Sequence, residues 1–200
     1  MEYTITIKKG NNNSSNKGIC AFASVVFDNR IKVEGITICK NSDSEELFVN
    51  MPRYRSNELD DNGQHIYKDI CNPITKDYRE RLYGYILSTY NNYISNLIDT
   101  LTFSDDAVSS GYTVKCIPSK DNNSTRKAEV RVYVADCFVI NHISVLDGKK
   151  GIFVSMPSYK TTRTNAWGKA SYRNYCYPVT KEFREELFSL ILNDFKNISK

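Results

Sequence analysis

Histidine is the scarcest reactive residue in this chain of 200. Only His65 and His142 occur, and neither lies at ligand spacing from a cysteine or from the other. A metal centre built from the usual nitrogen and sulfur ligands is therefore not expected. The six cysteines (Cys20, Cys39, Cys71, Cys116, Cys137, Cys176) contain no CxxC pair and are scattered along the chain. That pattern reads as reduced thiols in a cytoplasmic protein, not as a disulfide framework. No apolar run approaches the ~20 residues that a membrane helix requires. The opening stretch MEYTITIKKG alternates in polarity and lacks the apolar core of a signal peptide. No Ser-His-Asp order and no Gly-rich phosphate loop is present. The segment NELDDNGQ lacks the spaced ligands of a calcium loop. Asp77 with Glu80, and Glu182 with Glu185 and Glu186, fall at helical spacing and read as capping and solvated helix surface. Neither an enzyme nor a cofactor is expected.

What the chain does contain is itself, twice. LFVNMPRYRS at Leu47 is echoed by IFVSMPSYKT at Ile152. The offset of 105 holds for Met51 and Met156, Cys71 and Cys176, and Pro73 and Pro178, and it runs on through PITKDYRERLYGYIL and PVTKEFREELFSLIL. Upstream the offset becomes 107, where RIKVEGITI matches CFVINHISV, and one turn absorbs the difference. Indels confined to turns while the apolar frame persists mark one fold duplicated. The units run from 1 to 97 and from 111 to 200, with residues 98–110 read as a short polar linker.

Each unit follows the same pattern. YTITIK alternates as a strand. Two apolar strands flank Asp28-Asn29 as a hairpin, and a short strand ends at Met-Pro because proline has no amide proton to give a ladder. A polar loop follows, then an aromatic segment, IYKDIC or SYRNYC, that suits a further strand. Thr75 and Thr180 read as helix N-caps. After them, Tyr78, Leu82, Tyr85 and Ile86, and likewise Phe183, Leu187, Leu190 and Ile191, give each helix one apolar face. The expected fold is α+β: two tandem repeats, each a small antiparallel sheet followed by one helix, packed as a pseudo-dimer.

The loop after the second Met-Pro, up to Pro178, holds Lys160, Arg163, Lys169 and Arg173, with no acidic residue and with Tyr159, Trp167 and Tyr172 interleaved. Cations release counterions from phosphates, and aromatic faces stack on exposed bases. Charge agrees with this placement. Residues 1–100 hold 12 Lys+Arg against 13 Asp+Glu, and residues 101–200 hold 15 against 10. The first loop carries Arg53, Arg55 and Lys68 but also Glu58, Asp60, Asp61 and Asp69, which repel phosphate.

The ordered set VLDGKKGIFVSMPS, then YRNYCYPV, then a helix, resembles the SpoVG family of sporulation and septation regulators. The resemblance covers nearly all of the second unit and, more loosely, the first. It implies a small α+β fold that pairs into dimers, with DNA and RNA binding that regulates genes. Where that family has a Lys-Arg pair two residues past the proline, this chain has Tyr54-Arg55 and Tyr159-Lys160. The family arginine of the aromatic segment corresponds to Lys68 and Arg173, and one in the first helical turns to Arg79 and Arg184. A single chain with two units departs from the family's usual form and implies a fused pseudo-dimer, and leaves open whether the chain pairs further. The expected partner is nucleic acid, with a protein-interaction module lacking nucleic-acid binding as the alternative.

Overall fold

The computed structural model describes residues 1–10, 18–121, 123–164 and 168–198, with the side chains of Thr162 and Arg163 left outside. The first unit contributes β1 (Glu2–Lys9), β2 (Ile19–Phe27), β3 (Ile31–Lys40), β4 (Leu47–Asn50), β5 (Arg53–Leu59), β6 (His65–Asp69), β7 (Cys71–Pro73) and α1 (Lys76–Asn96). After β8 (Thr100–Ser104), the second unit repeats the series: β9 (Tyr112–Pro118), β10 (Arg126–Val134), β11 (Phe138–Gly148), β12 (Gly151–Ser155), β13 (Ser158–Thr164), β14 (Ala170–Asn174), β15 (Cys176–Pro178) and α2 (Lys181–Ile198). The α+β tandem architecture is as expected.

Strand alternation works as the pattern requires. Tyr3, Ile5 and Ile7 of β1 are buried, as are Val130, Val132 and Val134 of β10. The β2–β3 connection is a two-residue turn in which Asp28 and Asn29 both have positive φ, closed by Arg30 N–H donating to the Phe27 carbonyl (2.8 Å). Positive φ at both central residues is the type I′ geometry that suits the twist of the flanking strands. Ala135 and Asp136 adopt the same conformation between β10 and β11. Both helix starts are capped as anticipated: the Thr75 hydroxyl accepts from the Tyr78 amide at 3.3 Å, and the Thr180 hydroxyl from the Phe183 amide at 3.1 Å.

The two units exchange strands. Along β3, residues Thr37 to Lys40 pair with β4 of the same unit, whereas Ile31 to Val33 pair with β15 of the other. Along β11, Ser144 to Gly148 pair with β12, whereas Phe138 to Ile140 pair with β7 of the first unit. At each changeover sits a bulge. Ala23 opposes Ile36 but Val25 opposes Val33, and Val130 opposes Ile143 but Val132 opposes Ile140. An extra residue of this kind bends the strand and lets its edge change partner. The bulge holds Gly35 at φ 80 in the first unit and His142 at φ 61 in the second.

Exchange makes one core out of two. Phe27 packs against Phe138 with ring centroids 5.0 Å apart, and the related Cys71 and Cys176 are both fully buried. Burial raises the Cys71 thiol pKa, and the neighbouring Cys176 thiol adds to the effect. All six cysteines are free thiols.

Residues 98–110 do more than link. β8 pairs with β1 from Glu2 opposite Ser104 to Thr6 opposite Thr100. The N-terminal amine donates to the carbonyls of Asp105 (2.9 Å) and Val108 (2.8 Å), and Arg81 of α1 meets the buried Asp105 carboxylate at 2.9 Å. The expectation of a plain polar linker is corrected: TLTFS alternates well enough to be a strand, and an open sheet edge beside it offers the partner. No helix among the described residues is long and apolar enough to cross a membrane.

Candidate nucleic-acid interface

The segments launched by the two Met-Pro stops are not loose loops. Each folds back as a two-stranded hairpin, β5–β6 and β13–β14. The bases are closed alike: Ile70 N–H donates to the Pro52 carbonyl at 2.8 Å, and Tyr175 N–H to the Pro157 carbonyl at 2.9 Å. Because β7 and β15 then cross to the other unit, each hairpin lies against its neighbour's bulge. Glu34 N–H donates to the Tyr175 carbonyl (2.7 Å) and Asn141 N–H to the Ile70 carbonyl (2.8 Å).

Register places cations opposite aromatic rings. In the second hairpin Tyr159 faces Arg173 and Lys160 faces Tyr172; in the first, Tyr54 faces Lys68 and Arg55 faces Tyr67. Alternation sends the two pairs of each hairpin to opposite faces. Tyr172 is 64% exposed and Tyr67 55%, so each hairpin presents an open ring beside a cation. Tyr159 also packs on Tyr175, with centroids 4.7 Å apart.

The cations differ in their freedom. Lys68 is held by the Glu58 carboxylate, which raises its pKa, and Arg53 lies over the Tyr67 ring at 5.0 Å. Among the described residues neither Lys160 nor Arg173 enters an ion pair. The position matching Glu58 in β13 is Arg163, so the second hairpin replaces the neutralising acid with another base. Arg163's side chain and all of Trp167 lie outside the described residues. Lys169 is exposed just before β14, and Arg184 is exposed on the first turn of α2.

The fold also adds residues that sequence reading passed over. The second hairpin rests on the first unit's sheet, where Lys8 lines a 240 Å³ recess together with Thr6, Phe22, Tyr159 and Arg173. Lys8 follows the outward parity of β1, which was the available signal. Around the first hairpin, His142 meets Tyr54 edge-on at 4.9 Å and Glu129 at 3.7 Å. Its pKa is lowered chiefly by burial and further by Arg126, Arg131 and Lys68, against the opposing pull of Glu129. Arg126 and Arg131 belong to an ordinary-looking strand, and only folding brings them to this point. No cluster of His, Cys, Asp and Glu suited to a metal ion occurs among the described residues.

Comparison with known proteins gives this geometry a context. The sequence model of the SpoVG family matches residues 1–92 and again residues 112–197. The chain belongs to the SpoVG family. Among its relatives, the SpoVG septation protein of Phytoplasma australiense is 40% identical over 63 residues, covering 32% of this chain and 59% of that protein. Those of Treponema denticola and Borreliella burgdorferi are 30% and 29% identical, covering 35% and 41% of this chain and 69% and 78% of theirs. Each alignment spans well under half of this chain, in keeping with a SpoVG fold present twice.

Proposed function

We propose that this chain is a nucleic-acid-binding regulator of the SpoVG type that engages DNA or RNA mainly through its second hairpin. Control of septation or sporulation is its expected setting, since its relatives are named for septation. The observation that carries the reading is the exposed, uncompensated set Tyr159–Arg173 and Lys160–Tyr172 on β13–β14. Cations spaced along a hairpin neutralise backbone phosphates without reading sequence, and an open tyrosine stacks on an unpaired base of any kind. This chemistry favours single strands or unpaired regions over regular duplex.

The test is a binding series with single- and double-stranded DNA and RNA probes over a range of salt. Engagement of phosphates gives a linear fall of log affinity with log salt. A salt-independent affinity, or no affinity at all, removes the proposal. The first hairpin supports a second, separate reading. Its charge is self-neutralised at Lys68–Glu58 while Leu59, Ile66 and Tyr67 are exposed. Such a surface suits a protein partner better than a phosphate chain.

A further inference from the structure

The pseudo-twofold creates two related clefts, one beside each bulge, and their linings have diverged. The cleft beside Gly35 is lined by Ile19, Lys40, Arg53 and Tyr67, among others. Its cations are occupied: Lys40 pairs with Glu45 at 2.9 Å, and Arg53 lies on Tyr67. The cleft beside His142 encloses about 550 Å³, within the ~300–1,000 Å³ typical of small-ligand sites. There Arg126 stands where the other cleft has Ile19, and His142 where the other has Gly35. Two ring pairs line it, Tyr54 with His142 and Tyr159 with Tyr175. Hydroxyls of Ser144, Ser155 and Ser158 line it as well, over an apolar floor of Ile70, Leu146 and Met156. Among the described residues Arg126 forms no ion pair.

We propose that the cleft beside His142 binds one nucleoside monophosphate unit, its base against the ring pairs, its sugar among the serine hydroxyls and its phosphate on Arg126. The chemistry points to this class because each element answers one part of the ligand. Aromatic edges and faces receive a planar base, guanidinium suits a phosphate, and neutral hydroxyls suit a ribose. Around His142, Arg131 stands beyond Arg126 and adds positive charge, with Glu129 opposing it and Lys68 already neutralised by Glu58. The unit has two sources, a free nucleotide or one unstacked residue of a bound strand. Only the second source rests on the nucleic-acid reading above.

Saturation-transfer NMR on the full chain separates the outcomes. Probes are adenosine monophosphate, uridine monophosphate, adenosine and ribose phosphate. Wild type is expected to transfer saturation to the base protons of both monophosphates, and to bind adenosine monophosphate roughly tenfold more tightly than adenosine, about 1.4 kcal/mol. Arg126→Ile should erase that difference. His142→Gly should weaken monophosphate and nucleoside alike. Both changes copy residues that the other cleft already carries, so the fold tolerates them, and circular dichroism checks it. Competition by a single-stranded oligonucleotide assigns the site to a strand residue; continued nucleotide binding beside the oligonucleotide assigns it to free nucleotide. If oligonucleotides fail to bind while monophosphates do, the cleft stands and the nucleic-acid reading falls. Absence of saturation transfer in wild type, or transfer unchanged in the Arg126→Ile/His142→Gly double variant, overturns the proposal.

Discussion

Replacing Lys160 and Arg173 together by alanine removes the two described cations of the second hairpin that no carboxylate compensates. If each contacts one phosphate, the slope of log affinity against log salt should flatten by ~1.8 for duplex DNA or ~1.4 for a single strand. Across a fourfold change in salt, two contacts therefore account for roughly a tenfold difference in salt sensitivity. The matched control is Arg55→Ala with Lys68→Ala in the first hairpin. Lys68 already spends its charge on Glu58, so removing it frees a carboxylate as well as losing a cation. The control should flatten the slope by less than half as much. Fluorescence anisotropy with a labelled oligonucleotide at several salt concentrations reads both slopes, and circular dichroism confirms that the hairpin survives the loss of the Tyr159–Arg173 pair. Equal flattening by the two double variants would refute the asymmetry, and no flattening by either would make both hairpins ordinary surface.

Three further outcomes follow from local chemistry. His142 is held below the ordinary histidine pKa, mainly by burial, with Arg126, Arg131 and Lys68 facing it and Glu129 opposing. The unfolded chain therefore takes up its proton first, so stability is full above about pH 6.5 and falls as pH drops toward the folded pKa. His142→Asn, which tolerates the left-handed backbone, should flatten that fall in urea titrations run between pH 5 and 7 (roughly the window given by the unperturbed value). Ala135 occupies a left-handed turn position at φ 49, where its counterpart Asp28 is better suited. Ala135→Asn should raise stability by about 1 kcal/mol, read as a higher thermal midpoint, and a lowered midpoint would contradict the strain argument. Of the six thiols, only Cys20 is not buried. A thiol reagent should label it first in the native protein, with the other five reacting on the timescale of unfolding; rapid labelling of Cys71 or Cys176 would mean the exchanged strands open easily.

Much of this was legible because the signals are local. Alternation in YTITI and EVRVYVA, the Asp28-Asn29 turn, the capping threonines and the helical stripes each depend on neighbours in sequence. The repeat itself also showed which residues correspond. What escaped depends on partners distant in sequence. β8 is a strand only because β1 leaves an edge beside it. β7 and β15 are three residues each, too short to carry a pattern, and gain their meaning from edges of the opposite unit. The aromatic segments read as one strand are broken at Ile70 and Tyr175, where the chain crosses over. Arg126 escaped for the same reason: nothing in its own strand distinguishes it from a solvated arginine, and its relation to His142 exists only after β10 pairs with the bulged β11.

The pattern of divergence between the units also argues for what each part does. Many pairs buried in both units stay similar, as at Met51 and Met156, Cys71 and Cys176, Leu82 and Leu187, and Ile86 and Ile191; where size differs, Phe27 and Ile31 correspond to Val134 and Phe138, and the two rings pack on each other. A core shared through exchanged strands constrains both copies at once, because a cavity in either is a cavity in the whole and costs about 2–5 kcal/mol for a large aliphatic side chain. On the hairpins that constraint is absent, and the differences concentrate in charge: Glu58 against Arg163, and Asp69 against Asn174. Both changes move the second hairpin toward positive charge, further than the loss of a cation from Arg53 to Ser158 moves it back, while leaving its backbone pairing intact. Two identical chains in a dimer must carry the same residues at both sites. Joining the units in one polypeptide lifts that requirement, so one hairpin can balance its own charge while the other keeps its cations open.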